Sequence, residues 1–470
     1  MSKYNYVNLK LKVQAFSQRL DMTFLTILMF TGIIFAGTIL LMTPMAQKEN
    51  VTFINALFTA TSATCLTGLL TINVADSFTL FGQIVIMALM ELGAIGIITV
   101  SAAFAMMLGK SISIAQSSVI HDVFTASNRV DIKKLIKAVI FVMLVFEIVG
   151  AAIFMLLWAP EMGYEKAAFH GLFHSISAFC NAGISSFSKG LTGLEKDIPS
   201  SAVMFVLLVA GGIGFLSIAE VYAKFSASYG DKRRKVKSPW TFQLKIILIY
   251  TFISIVAGSM LIFVLELHGA IAGKPLAEQI TGALFHTASA RTAGFASIDM
   301  SEFSNASLYI LMLLMFVGGA PVSTAGGIKV TTFALLIGMA VSRAKGSQTV
   351  QILNRSVPEK VMSRAISIVF MAILVLTIAV FLLLITESHP VSAPSITRVE
   401  FMPILFEAIS ALGTVGLSMG LTPDLSFYGK LVIIVVMLIG RLGPITIAMV
   451  IAAQKKEVRY QHAEENIMVG

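Results

Sequence analysis

The sequence predicts an all-α integral membrane protein built from four membrane–pore-loop–membrane repeats. These give eight transmembrane helices and four re-entrant pore helices in pseudo-fourfold array around one pore. Composition is the first reason: of 470 residues, 57% are hydrophobic and 13% charged. Apolar runs of about 20 residues, the length that crosses a bilayer core, recur throughout, and a soluble solenoid would need charged faces that are absent. The second reason is a repeated phrase, LFTATSATCLTG from Leu57, LFHSISAFCNAG from Leu172, LFHTASARTAG from Leu284 and LFEAISALGTVG from Leu405. It recurs at intervals of about 110 to 120 residues, longer than a solenoid repeat and in keeping with a repeated membrane unit. Each copy runs Leu-Phe, Ser-Ala and a closing glycine: Gly68, Gly183, Gly294 and Gly416.

The elements follow in order. Residues 1–22, with Lys3, Lys10, Lys12 and Arg19, form an expected cytoplasmic N-terminus. The apolar run from Thr23 has no small-residue cleavage site behind it and is expected to remain as the first helix. Repeat 1 (23–107) has helices expected near 23–44 and 79–107, and repeat 2 (136–227) near 136–158 and 201–226. Repeat 3 (243–341) has them near 243–266 and 306–340, and repeat 4 (364–453) near 365–386 and 428–453. A cytoplasmic tail, 454–470, ends the chain. Within each repeat the phrase occupies about a dozen residues, too short to span. Such a segment is tolerated at membrane depth only where it lines a polar cavity.

Charge sets the orientation. Most of the 34 Lys and Arg lie in the termini and the linkers between repeats, with Lys232, Arg233, Arg234, Lys235 and Lys237 in one cluster. The positive-inside rule makes these segments cytoplasmic, so the glycine hairpins open outward. The outer segments are richer in acids, among them Asp76, Glu161, Glu165, Asp299, Glu302, Glu387 and Asp424, which predicts a negative mouth that concentrates cations. The two cysteines, Cys65 and Cys180, occupy equivalent places in the phrase and suggest neither a disulfide nor a metal site.

A cation that sheds water in a membrane needs replacement oxygens, and backbone carbonyls supply them without a charge. Glycine allows the backbone angles that turn carbonyls to one axis, and a short helix ahead points its negative end there. The stretches Thr64–Gly68, Phe179–Gly183, Arg291–Gly294 and Leu412–Gly416 fit this arrangement. The candidate filter residues are Cys65, Leu66, Thr67 and Gly68; Cys180, Asn181, Ala182 and Gly183; Thr292, Ala293 and Gly294; and Thr414, Val415 and Gly416. Only the fourth stretch holds two glycines, which predicts fewer ordered sites and looser selectivity than in a potassium channel.

The second helix of repeat 3 is interrupted by GGAPVSTAGGIK from Gly318, which cannot remain helical through a bilayer. Gly318, Gly319, Ala320, Pro321, Ser323, Thr324, Gly326, Gly327 and Lys329 are the candidate gate, and only this repeat is expected to have a broken second helix. Arg441, mid-span in the last helix, is a costly charge that suits an electrostatic barrier at the gate. The alternative is an ion pair with Glu91, Glu147 or Glu220, acids that lie on separate helices and form no readable motif. Arg291 is expected to turn away from the axis toward a carboxylate such as Glu407. His174 and His286, at matching places, read as packing residues.

On these residues, SARTAGF from Ser289 and SALGTVGLS from Ser410 above all, the chain resembles the ion-translocating subunits of the Trk/Ktr/HKT superfamily of potassium transporters, specifically the Ktr type. The resemblance covers about residues 20–455; about twenty residues precede the first helix, short of the extra helix pair of TrkH-type members. It implies a homodimer in membrane lipid with one pore per protomer, and a cytoplasmic ring of nucleotide-binding regulatory subunits of the KtrA/KtrC kind. Potassium is the implied transported ion, with sodium a second candidate. Gly68 stands where sodium-permeable plant relatives carry serine, and favours potassium. In such proteins the loop from Gly318 is the intramembrane gate and the arginine matching Arg441 faces it. The expected role is potassium uptake across a bacterial plasma membrane, with no enzyme activity and no nucleic-acid partner. A cation-coupled secondary transporter is the alternative, though that class is usually built on inverted repeats.

Overall fold

A computed structural model describes residues 22–95, 132–215, 217–218, 220–221, 240–321, 323–347, 349–387 and 401–443. Its architecture is almost wholly helical. In chain order the helices are α1 (Met22–Leu41), α2 (Phe53–Cys65), α3 (Val74–Ser77), α4 (Leu80–Ala94), α5 (Ile132–Met162), α6 (Tyr164–Phe179) and α7 (Ile198–Ile213). There follow α8 (Phe242–Glu266), α9 (Leu276–Ala290), α10 (Asn305–Phe316), α11 (Val330–Ala344), α12 (Glu359–Thr386), α13 (Phe401–Gly413) and α14 (Phe427–Leu442). Among the described residues, Val139–Met162, Phe242–Glu266 and Glu359–Thr386 are each long and apolar enough to cross a membrane. Their outer faces carry large exposed apolar side chains such as Phe141, Leu156, Phe252, Phe370 and Phe381, an apolar surface that suits lipid.

Each repeated phrase forms one short helix, α2, α6, α9 or α13, between a preceding helix (α1, α5, α8, α12) and a following one (α4, α7, α10, α14). The Leu-Phe pair explains how the short helices seat themselves. Phe58, Phe173, Phe285 and Phe406 occupy the same place in each copy and are all essentially inaccessible. Burying a phenylalanine side chain stabilises by about 1.5–3 kcal/mol, so each anchors its helix by one large residue.

The following helices start on side-chain caps. Thr79, Asp197, Ser304 and Ser426 each accept a backbone N–H, from Gly82, Ser200, Ser307 and Gly429 respectively, as an N-cap requires. At the same end, carboxylates tie the preceding and following helices of a repeat together. Glu266 accepts from Ser304 N (2.9 Å) and Ser304 Oγ (2.6 Å); Glu387 accepts from Ser426 N (3.0 Å) and Ser426 Oγ (2.7 Å). Glu195 pairs with Lys274 at 3.2 Å, and Asp76 accepts from Ser188 Oγ at 2.6 Å. These acids are thus held as caps and clamps.

Two differences from the sequence reading concern the following helices. The helix expected near 201–226 stops at Ile213, where Gly214 takes φ +91°, and helical bonding resumes with Ile218 N donating to Gly214 O. That expected near 428–453 stops at Leu442, with Gly443 at φ +88°. Positive φ is cheap only for glycine and ends an α-helix, so repeat 3 is not alone in having an interrupted helix. A small antiparallel hairpin, β1 (Gln351–Ile352) and β2 (Arg355–Ser356), also forms in the linker before α12. Leu353 and Asn354 turn it at φ +48° and +61°, as a two-residue hairpin turn requires. The basic cluster Lys232–Lys237 and both termini lie outside the described residues.

Candidate functional site

The ends of the four short helices meet. In each, the residue two before the closing glycine has positive φ: Leu66 (56°), Asn181 (54°), Thr292 (80°) and Thr414 (48°). The glycines follow at φ +91°, +68°, +75° and +100° for Gly68, Gly183, Gly294 and Gly416. In each strand a left-handed residue, an ordinary one and a left-handed glycine alternate, a backbone that turns successive peptide groups the same way. Leucine and threonine rarely accept such angles, and the strained backbone recurs in all copies.

These strands close into a ring. A Cβ on Gly68 would lie 2.7 Å from Ala182 O, and one on Gly183 2.7 Å from Ala293 O. On Gly294 it would overlap Val415 O, and on Gly416 it would overlap Thr67 O. Each glycine therefore faces the Cα of the next, Gly68 to Gly183 to Gly294 to Gly416 and back to Gly68. Glycine is required twice over, by φ and by close approach.

The serine of each Ser-Ala pair holds its strand. Ser62 Oγ accepts from Gly68 N (2.9 Å) and Ser410 Oγ from Gly416 N (3.0 Å). Ser177 Oγ accepts from Ile184 N (3.0 Å) and donates to Ile184 O (2.7 Å), and Ser289 Oγ donates to Phe295 O (2.6 Å). The serine carbonyls add a second tie, accepting from Thr67 N, Ala182 N, Ala293 N and Val415 N, each at 2.8 Å. The sequence suggested only that these residues were small.

Around the ring the hydroxyls of Thr64, Thr67, Thr292 and Thr414 are buried with no hydrogen-bond partner in the protein. An unsatisfied buried hydroxyl costs about 1–3 kcal/mol, so the ring holds oxygens in excess of what the protein uses. Gly183 and Gly294 border a funnel of about 450 Å³ lined by Thr71, Asn73, Ser185 and Thr192 among others, none of them charged. The negative mouth expected from composition is therefore not a property of the funnel wall.

The candidate gate segment runs between α10 and α11 and crowds two of the ring strands. Gly318 N donates to Ile328 O (2.8 Å), Val330 N to Gly319 O (3.0 Å) and Ala320 N to Gly212 O (2.9 Å). Ser323 Oγ donates to Ala320 O (2.6 Å), Thr324 Oγ1 to Phe179 O (3.3 Å) and Lys329 Nζ to Ala325 O (2.6 Å). Gly318 lies against Thr292, Gly326 against the Thr414 hydroxyl and Gly327 against Gly413, while Pro321 is half-buried.

Arg441 is buried, and its Nη1 and Nη2 donate to Thr324 O and Gly93 O, both at 2.5 Å. Its partners are carbonyls of the loop and of α4, so the alternative ion pair with Glu91, Glu147 or Glu220 is not formed. Glu220 instead accepts from Thr241 N (2.9 Å) and Thr241 Oγ1 (2.7 Å). Contrary to expectation, Glu91, Glu147 and Cys180 do come together, with ligand atoms within 4.8 Å of one another. Tertiary packing joins helices that the sequence keeps far apart.

Arg291 also departs from expectation. Its Nη2 donates to Thr251 Oγ1 at 3.2 Å, and Glu407 is occupied elsewhere, accepting from Ser418 Oγ (2.5 Å), Thr422 Oγ1 (2.7 Å) and Met419 N (3.1 Å). The two histidines are packing residues as anticipated. His174 bonds His170 O and Ser185 Oγ (both 2.8 Å), and His286 bonds Gly282 O (2.9 Å) and Ile298 N (3.3 Å).

One set of site residues escaped the sequence reading. Gly93, Gly211 and Gly440 lie against Thr64 O, Phe179 O and Leu412 O, the carbonyls four residues before each ring glycine, where any Cβ would overlap the oxygen. The signal was present as GAIG from Gly93, GGIG from Gly211 and GRLG from Gly440.

The chain matches the family described as TrkH, cation transport protein, over residues 9–460. It is 34% identical to the Ktr system potassium uptake protein B of Vibrio alginolyticus, covering 94% of each chain. It is likewise 34% identical to the potassium/sodium uptake protein NtpJ of Enterococcus hirae, covering 94% of this chain and 95% of that one. Its fold is similar to the crystal structure of the potassium transporter TrkH from Vibrio parahaemolyticus, with a TM-score of 0.71 and 20% identity over 92% of this chain and 84% of that one.

Proposed function

The chain belongs to the TrkH family of cation transport proteins, and we propose that it takes up potassium across the bacterial plasma membrane through the four-glycine ring. In this reading the ring is the selectivity filter, and its carbonyls and free threonine hydroxyls replace the water a potassium ion sheds. The observation that carries it is the closed cycle of four glycines, each against a carbonyl oxygen of the next strand. A packing role alone would need small residues but not left-handed residues two before every glycine.

The segment from Gly318 to Lys329, pinned by Arg441, is the gate beneath the filter. Arg441 places a fixed positive charge beside the path while it holds the loop, so one residue is both latch and barrier. The eight long helices and four short ones around one pore, the outward-facing hairpins, the cytoplasmic termini, a homodimer and a nucleotide-binding regulatory ring complete the proposal. Sodium is a second permeant ion, since the E. hirae relative is named for both ions and three of the four strands, CLTG, CNAG and RTAG, depart from the TVG of the fourth.

The test is rubidium and potassium uptake by a potassium-auxotrophic bacterium expressing the chain with its regulator, at varied sodium. Growth rescue with saturable uptake is expected. Failure of a membrane-inserted protein to rescue, with the regulator present, would overturn the reading.

A further inference from the structure

Counting three residues back from each ring glycine gives Cys65, Cys180, Arg291 and Gly413. Three are uncharged and one is a guanidinium. Arg291 caps the C-terminus of α9, the negative end of that helix. It is 8% exposed, and its hydrogen bond is to the neutral Thr251 hydroxyl on α8. Among the described residues no carboxylate pairs with it. Three residues of chain place its Cα within about 10 Å of Gly294.

A buried charge with no counter-ion acts at long range, because little dielectric screens it. Here it opposes the negative pole of α9 and lowers the attraction that the third strand exerts on a cation in the ring. The sister strands reach the same left-handed residue two before their glycines with cysteine or glycine ahead of it, although the third strand is one residue shorter, so that turn does not itself demand an arginine. Conduction needs binding weak enough to release the ion, and a fixed positive charge behind one strand supplies that weakening.

Resting on the filter reading above, we infer that Arg291 is an affinity-setting residue of the ion path: its charge, seated behind the third strand, loosens cations in the ring and speeds their passage. The guanidinium lies a side chain's length from that Cα, and a unit charge about 10–15 Å from the ring at an effective dielectric of about 20 corresponds to roughly a six- to sixteen-fold change in monovalent binding. The effect scales with ion charge, so a divalent blocker feels the square of the monovalent factor.

The experiment measures rubidium uptake and its block by barium in cells carrying the full chain and its regulator. Arg291→Gln is expected to lower the KM for rubidium and the maximum rate, and to strengthen barium block by about the square of the KM change. Arg291→Lys should keep wild-type values, because it keeps the charge. Thr251→Asp, which sets a counter-charge against the guanidinium without removing it, should reproduce the Gln phenotype even if Arg291→Gln does not reach the membrane. An unchanged KM in Thr251→Asp, equal behaviour of the Lys and Gln variants, or barium block that shifts no more than rubidium affinity would each overturn the inference. Absence of rubidium uptake by the unmodified chain would instead count against the filter reading.

Discussion

Arg441→Gln should open the path. On the proposed gate reading this arrangement is the closed one, in which the guanidinium makes two short bonds, to Thr324 O in the loop and Gly93 O on α4. Bonds from a charged donor contribute about 1.5–3 kcal/mol each, so the pair supplies roughly 3–6 kcal/mol of closure before losses. Both carbonyls regain water when the loop moves, and glutamine can keep one bond, which leaves about 2–3 kcal/mol favouring closure that the variant lacks. At 1.4 kcal/mol per decade, the open population should rise about 30- to 150-fold from a small starting value. Removing the charge also lowers the barrier to a cation beside it. The assay is rubidium flux into proteoliposomes without the regulatory subunit, where the unmodified chain should be nearly silent and Arg441→Gln should leak. Fluxes that match within two-fold, with equal protein in the membrane, would refute both latch and barrier.

Other substitutions probe the ring and its supports. Gly183→Ala brings a Cβ to 2.7 Å from Ala293 O at φ +68° and should abolish rubidium uptake, whereas Gly190→Ala, at φ +60° in open space, should cost only about 1–2 kcal/mol of stability and keep transport; equal transport by the two would dismiss the ring contact. Ser410→Ala removes the acceptor of Gly416 N and should weaken discrimination of potassium from sodium in competition uptake while the thermal midpoint falls only slightly. Gly440→Ala, whose Cβ would overlap Leu412 O, should lower the detergent-solubilised melting temperature by several degrees, and an unchanged value would mean that α14 and α13 can part freely.

Much of this was legible in the sequence for a specific reason. The bilayer forces long apolar runs, and a fourfold phrase forces four equivalent short helices, so the order of elements could be read directly. Reasons were harder to read than positions. Ser62, Ser177, Ser289 and Ser410 looked like small residues, yet each is a hydrogen-bonding clamp on its own strand. Gly93, Gly211 and Gly440 went unread because a helix glycine by itself has many uses, and only packing shows the facing carbonyl. Pairing Arg291 with Glu407 failed on geometry. Glu407 is nine residues before its ring glycine and Arg291 three, and six residues of helix put about 9 Å of rise between their levels. Glu91 and Glu147 meet across two helices that no local pattern relates.

The ring draws one strand from each of the four repeats, but the loop comes from one of them, and on the proposed gate reading this difference lets one segment control a fourfold opening. The loop belongs to repeat 3, yet it is bonded to Gly212 O and Phe179 O of repeat 2. It packs on Gly413 and Thr414 of repeat 4, and Arg441 links it to Gly93 of repeat 1. Lifting it therefore breaks contacts to all the other repeats at once, which makes intermediate positions costly and favours an all-or-none opening. Near the two ends of the loop Gly318 meets the Thr292 methyl and Gly326 meets the Thr414 hydroxyl, which has no hydrogen-bond partner. A cation that bound the Thr414 hydroxyl would compete with the loop for the same space. Ion entry and loop closure would then be linked reciprocally, so raising the permeant ion concentration should itself favour the open state.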